Sequence, residues 1–495
     1  MPNLMPRIIF FTIHNTTRWW KYLGSQIDFA DVTVLSDLRH DGDWSLVDDF
    51  YRSMQRGDPA AFALGRFGEE GCAEIILRCR SLRSLDRDLA MRMIGGMTQA
   101  IESAFDRFDP KLVLTFTMDR YVIDVMERVA RARGIDLLEM TASIIPDQII
   151  FHRRGELVPL REPSPEELSE AVEILSAESF APVYVRNANK FSSRRFWQVF
   201  GYFALRGAFF NVWRYLQRDR FNLHYIDALK RLKHKVRPRD VAVLGLLQKD
   251  WQTRLDAIPK DRRVFCGLQL FPEASLDYWL RSHDMLAHDD VVVRYCEVLG
   301  NAGYHTFVKD HPLQFGFRRR ELFERLSKLR SVTCVPYEVP ASYLIQNCDV
   351  SVTFTGTIGF QAALAGLCSI VTEPYYATEA HYLHVRNFSE IDGIVDRLKN
   401  WQRPSDMDTA RRQIVRKLVA AGATGNYFTW RKFDPDDEDA QQAVKSLVRS
   451  FNRYLPRFMK SEGLPAESGV DRFAAVYPPA ASVHSLGGAE ETLGR

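Results

Sequence analysis

Seven cysteines (72, 79, 266, 296, 334, 348 and 368) are present, with no Cys-x-x-Cys pair among them. An odd number without metal-ligand spacing argues against a structural zinc site and suits reduced, buried thiols of a cytosolic protein. There is no Gly-x-Gly-x-x-Gly, which argues against a dinucleotide oxidoreductase, and no Gly-x-x-x-x-Gly-Lys-Ser/Thr, which argues against a P-loop NTPase. No solenoid-type repeat is present. A net charge of +3 is too small to imply nucleic-acid binding. Acidic residues are scarce in one stretch: between Arg186 and Arg239 stand fourteen Lys or Arg and only two acids, Asp219 and Asp227.

With 495 residues, 46% of them hydrophobic and 26% charged, the chain has the composition of a globular protein too long for one core. The N-terminus runs straight into an apolar strand, so no signal peptide is expected. Near-continuous apolar segments at 7–13, 31–35, 111–117 and 135–141, with helical patterns at 88–107 and 119–133, predict a parallel sheet covered on both faces over residues 1–160. A second set follows, with strands at 263–270, 304–309, 332–336, 349–354 and 368–373. Helices at 289–302, 318–329, 340–347 and 357–366 alternate with these strands. The expected class is α/β: two doubly wound Rossmann-like domains of GT-B type, at 1–160 and 261–400. A helical insertion at 161–260 separates them; helices at 401–460 and a disordered tail at 461–495 follow.

Residues 186–239 interleave their basic side chains with Phe191, Phe196, Trp197, Phe200, Tyr202, Phe203, Phe209, Phe210, Trp213, Tyr215 and Phe221. Gln198, Arg206 and Asn211 interrupt the apolar run, so the segment reads poorly as a membrane-spanning helix. It reads as an amphipathic helix at an anionic membrane surface, or as an insertion packed between the two domains.

Candidate site residues cluster at strand ends. Lys309 and His311, two apart, face one side of the strand end 304–309 and suit a phosphate leaving group; Pro312 ends the strand. Thr355-Gly356-Thr357 opens the helix 357–366, where hydroxyl and backbone N–H groups suit phosphate and Gly356 allows close approach. Glu273, after strand 263–270, suits a ribose or sugar hydroxyl. In the first domain His14 and Asp119 end strands 7–13 and 111–117 and are candidate bases for an acceptor hydroxyl. Asp41-Gly42-Asp43 reads as a loop, and Asp434–Asp439 as the solvated start of the last helix.

Taken together, Leu268–Ser275 (Leu-Gln-Leu-Phe-Pro-Glu-Ala-Ser), Phe307–Pro312 (Phe-Val-Lys-Asp-His-Pro) and Thr355–Leu364 (Thr-Gly-Thr-Ile-Gly-Phe-Gln-Ala-Ala-Leu) resemble, in order and spacing, motifs of the bacterial capsule polysaccharide biosynthesis family. The stretch 110–151 is similar more loosely, and the resemblance covers about residues 105–385. Two positions depart from the family pattern: Gln361 and Asp310 each stand where it has Glu. The resemblance implies a GT-B glycosyltransferase of cell-surface polysaccharides, a group that includes Kdo transferases using CMP-Kdo. It implies further that His311 and Thr355–Thr357 hold the donor's phosphate and sugar, with Gln361 beside them.

The expected activity is therefore transfer of a sugar from a nucleotide-sugar donor, CMP-linked by the resemblance, to a lipid-linked or growing capsular glycan. It would need no metal and no further cofactor, would bind no nucleic acid, and would act in the cytoplasm at the inner face of the membrane. Two alternatives stand beside it: a polyol-phosphate transferase on the same fold, and a non-catalytic scaffold binding nucleotide sugar or glycan.

Overall fold

In the computed structural model, residues 5–13, 15–177, 180, 191–232 and 234–459 are described. The first sheet is built from β1 (Arg7–Thr12), β2 (Asp31–Ser36), β3 (Trp44–Ser45), β4 (Pro110–Phe116), β5 (Asp136–Ala142) and β6 (Gln148–Arg153), with the short β7 (Glu156–Leu157) paired to β6. The second contains β8 (Arg263–Gly267), β9 (His305–Lys309), β10 (Val332–Val335), β11 (Val350–Val352), β12 (Cys368–Val371) and β13 (Leu383–His384). The expected class holds. Two Rossmann-like sheets, each flanked by helices, make up an α/β, GT-B-like chain.

Strand order decides where the two halves can bind a ligand. In the first sheet β3-β2-β1-β4-β5 are all parallel, and β6 joins antiparallel beyond β5. In the second the order is β10-β9-β8-β11-β12-β13, all parallel. Each order reverses direction once, between β1 and β4 and between β8 and β11. Ligands of open α/β sheets bind outside the carboxyl ends of the strands at such reversals.

Local chemistry sets the element ends. Asp86 accepts from the N–H groups of Asp88 and Leu89 and so starts the helix Arg87–Phe108, which stops where Asp109 turns left-handed. Ser164 and Glu167 form a capping box before the helix Pro165–Ser176. The acidic run at 434–439 starts the helix Glu438–Tyr454, with Asp437 as its N-cap. Asp41 accepts from Ser36 Oγ at 2.8 Å, and Asp43 from the Val34 N–H at 2.9 Å, so this pair closes the β2–β3 turn. All seven cysteines are buried and unpaired with one another.

The chain closes by returning to its first half. β14 (Gly422–Thr424) pairs antiparallel with β6. Val444, Leu447, Phe451 and Leu455 then pack into the first core, the Phe451 ring lying 6.0 Å from Phe10 and 6.1 Å from Phe151. A further buried cluster joins Ile145 and Ile150 of the first half to Phe360, Tyr376 and Leu418, so apolar burial continues from one sheet to the other.

Candidate active site

At the second reversal, β8 ends at Gly267 and the chain bends through 268–275, while β11 gives way to Thr355-Gly356-Thr357. A Cβ on Gly267 would stand 2.5 Å from Ile358, so glycine is what lets the start of the helix Thr357–Leu364 approach β8. Gln269 ties the two loops: its Oε1 accepts from the Thr355 N–H at 2.9 Å, and its Nε2 donates to Glu273 Oε2 at 3.0 Å and to Ser275 Oγ at 2.9 Å. Thr355 Oγ1 donates to Ser275 Oγ at 3.0 Å, and Ser275 donates to Glu273 at 3.1 Å. Glu273 and Thr355 are thus brought together. Gly356 is the N-cap of the helix and no side chain caps it. A first helical turn presents N–H groups without intrahelical partners, and the axis dipole favours an anion there. Gln361 lies one turn further along the same face and is half-buried.

β9 is the neighbour of β8, and its end carries Lys309, Asp310 and His311. Asp310 is a structural knot. It accepts from Arg318 Nε at 2.8 Å, from the Tyr337 hydroxyl at 2.5 Å and from the His311 N–H at 2.9 Å. Arg318 also donates to the Gln269 carbonyl at 2.6 Å, and Gln314 makes a two-way amide pair with the Phe271 backbone at 2.8 and 2.9 Å. The β9 loop is thereby stitched to the β8 loop, and through Gln269 to Thr355.

The charges there differ from a pair of free cations. Lys309 is buried and donates to the Tyr337 carbonyl at 3.1 Å and the Asp310 carbonyl at 3.4 Å. Burial lowers its ammonium from the usual lysine range to about 8, with Asp310 and Glu338 opposing. Burial likewise lowers His311 to about 4, with Lys309 and Arg318 pushing the same way and Asp310 opposing, so its ring is neutral at pH 7. Its Nδ1 accepts from the Leu313 N–H at 3.1 Å, which puts the ring proton on Nε2. His311 is a neutral hydrogen-bond donor.

On the first sheet, Asp119 follows β4 at the other reversal. Arg120 holds both its oxygens, at 2.8 and 3.3 Å, and reaches on to Asp37 at 2.9 Å. His14 lies outside the described residues. Behind Asp119 is an arrangement the sequence reading did not single out. Thr117 Oγ1 lies 3.3 Å from His152 Nε2, while His152 Nδ1 accepts from the Gly155 N–H at 3.2 Å. Burial lowers His152 to about 3 and raises Glu139 to about 7, although Glu139 accepts two backbone N–H groups at 2.6 Å.

Arg80 links the halves. It donates to the Pro272 carbonyl at 3.5 Å, lies 3.3 Å from Asp277, and feels the Asp119 carboxylate. The predicted residues therefore form two groups, one at each reversal: Glu273, Lys309, His311, Thr355, Gly356, Thr357 and Gln361 on the second sheet, and Asp119 on the first. Gln269, Gln314, Arg318 and Tyr337 were not legible, since each also joins a partner on another loop, 27 to 86 residues away. Among the described residues no group of His, Cys, Asp and Glu is arranged to hold a metal ion.

No family model matches the chain, and no curated protein matches it. Solved structures that it resembles include the Thermosulfurimonas dismutans KpsC β-Kdo 2,4-transferase, at 13% identity and a TM-score of 0.36, over 71% of this chain and 88% of that one. The β-Kdo 2,7-transferase of the same KpsC gives 13% and 0.30, over 71% and 89%. A Methanocaldococcus jannaschii UDP-GlcNAc 2-epimerase, solved with UDP-GlcNAc and UDP, gives 13% and 0.25, over 83% and 99%.

Proposed function

We propose that the chain is a glycosyltransferase moving a sugar from a nucleotide-sugar donor, CMP-linked on the family resemblance, to a lipid-linked or growing capsular polysaccharide. The observation that carries this reading is the second-sheet reversal. One hydrogen-bonded network there joins a helix N-terminus, the Thr355–Thr357 loop, Glu273 and the neutral donor His311. In transfer, an acceptor hydroxyl oxygen bonds to the anomeric carbon as the bond from that carbon to the phosphate oxygen breaks. The nucleotide leaves with the electron pair, and the acceptor's proton passes to a base. His311 Nε2–H and the helix N-terminus would stabilise the charge growing on the phosphate. Glu273 would hold a ribose or sugar hydroxyl, Gln361 would contact the donor, and Lys309 would add field from behind. Asp119 and His14 are the proposed bases. A lipid-linked acceptor would bring the chain to the cytoplasmic face of the membrane.

One observation favours a competing reading, a non-catalytic scaffold: Arg120 occupies both oxygens of Asp119. Incubation of a CMP-sugar with a membrane fraction containing acceptor, in the presence of EDTA, separates the two. The proposal predicts release of CMP and a sugar-bearing product at a rate unchanged by the chelator, because protein donors balance the phosphate charge. Binding of donor without product would establish the scaffold; in a parallel incubation with a CDP-polyol, release of CMP with polyol phosphate joined to the acceptor, and no transfer from the CMP-sugar, would establish a polyol-phosphate transferase.

A further inference from the structure

Residues Ser193–Leu216 form one 24-residue helix whose two faces have different fates. The inner face is packed. Phe203 stacks on His234 at 4.8 Å and meets Phe317 at 4.9 Å, Phe210 stacks on Tyr225 at 5.3 Å, and Gly207 lies against the Ala228 carbonyl, where a Cβ would come within 3.1 Å. The outer face carries Tyr202, Leu205, Phe209, Val212, Trp213 and Leu216, all exposed, Leu205 to 75%. Tyr202, Leu205, Phe209, Val212 and Leu216 recur at intervals of three and four, with Trp213 beside Val212, which places them in one stripe, at about 1.5 Å of rise per residue. An exposed apolar stripe of this size marks a surface that something else covers.

The surrounding charge selects the occupant. Arg194 and Arg195 are exposed at one end of the helix, and Arg218 and Arg220 beyond the other. No Asp or Glu occurs between Arg194 and Arg218. A second copy of the chain, laid on this face in either direction, would bring arginines against arginines with no carboxylate to offset them. An anionic bilayer meets both demands. Its headgroups pair with the arginines, its acyl boundary takes Leu205, Phe209 and Leu216, and the Trp and Tyr rings suit the layer between. Among the described residues no helix is long and apolar enough to cross a membrane.

We infer that the outer face of the helix Ser193–Leu216 lies in the plane of an anionic membrane surface, with Leu205 and Phe209 at its centre. This deepens the membrane-borne acceptor of the proposed function, but its test needs neither donor nor acceptor. The full chain is sedimented with vesicles of phosphatidylcholine containing phosphatidylglycerol, and with pure phosphatidylcholine. Expected is binding to the anionic vesicles that is at least about tenfold stronger than to neutral ones and falls with added salt. The Leu205→Glu/Phe209→Glu double variant, changed only at exposed sites, should bind at least about tenfold more weakly while keeping its melting temperature. Wild-type protein that ignores both vesicle types, a double variant that binds as wild type does, or a wild-type dimer that this variant dissociates would each overturn the inference. A chain that binds vesicles yet never transfers sugar would leave it standing and defeat the transferase reading alone.

Discussion

His311 combines two functions that are separable by substitution. Its Nδ1 serves as acceptor for the Leu313 N–H and so shapes the turn at 312–314, while its Nε2–H is the group proposed to meet a phosphate. Asparagine at this position retains a side-chain acceptor of N-cap type and lacks the outer donor. The His311→Asn variant should therefore fold. It should also report on the neutral ring. Burial sets the folded pKa of His311 at about 4, below the ordinary value of 6.5. As pH falls through 6.5 the unfolded chain takes up this proton first, so the stability due to the neutral imidazole is lost between 6.5 and about 4. Thermal denaturation across this range should show the wild-type melting temperature falling faster than that of His311→Asn. Parallel curves would mean that His311 is solvated and charged like a surface histidine. Lys309, His311, Glu273 and Thr355 were legible because each stands where an apolar run stops. What was not legible is that Asp310, between two of them, is consumed by Arg318, beyond the loop that follows, and by Tyr337, after the next strand.

Elements joining the halves were harder to read than the elements themselves. The helix Pro59–Arg78 ends in an arginine that is fully buried. It donates to the carbonyls of Asp277 at 3.0 Å and Leu280 at 2.8 Å, at the carboxyl end of the helix Ala274–Trp279, and pairs with Glu74 at 2.9 Å. A cation at a helix C-terminus satisfies orphan carbonyls and opposes the dipole. Arg78 therefore holds the segment after Glu273 against the first half. Arg78→Met should cost on the order of 3 kcal/mol, since it strands buried carbonyls and leaves Glu74 with Arg128 as its remaining partner. The denaturation midpoint would measure this; a loss well under 1 kcal/mol would mean that the carbonyls reach water and the clamp is incidental. Nothing in the sequence distinguishes Arg78 from a surface arginine closing a helix. In contrast, the strands at 304–309 and 332–336 and the helix at 340–347 matched the observed elements to within a residue or so at each end, because the strands are almost continuously buried and Pro340 marks the start of the helix. The helix at 193–216 was legible as amphipathic. That its aromatics divide between a packed face and an exposed one required the neighbours Tyr225, His234 and Phe317 to be in place.

For the molecule as a whole, alternation of strand and helix was enough to foresee two Rossmann-like halves, since each repeat buries its own surface. The return of the chain was not foreseen. β14 is three residues long, and the helix Glu438–Tyr454 displays an ordinary amphipathic pattern that does not say which half it will cover. Its choice of Phe10 and Phe151 is a matter of shape complementarity. The same limit applies to the site. Arg78, Arg80 and the shared apolar cluster hold together the two halves that carry the strand-order reversals, and none of these contacts leaves a trace in the pattern of either half alone.

On the proposed function, a nucleotide phosphate binds at the second-sheet reversal through His311 and the helix beginning at Thr357. This binding is tested most directly by the thermal shift of wild type and His311→Asn with CMP, CDP, UDP, GDP and ADP. One nucleotide should raise the wild-type melting temperature, and His311→Asn, folded as well as wild type, should lose most of the shift. CMP as that nucleotide would assign a Kdo-like or sialic-acid-like donor. An equal shift in both proteins, or none with any nucleotide, would contradict the claim.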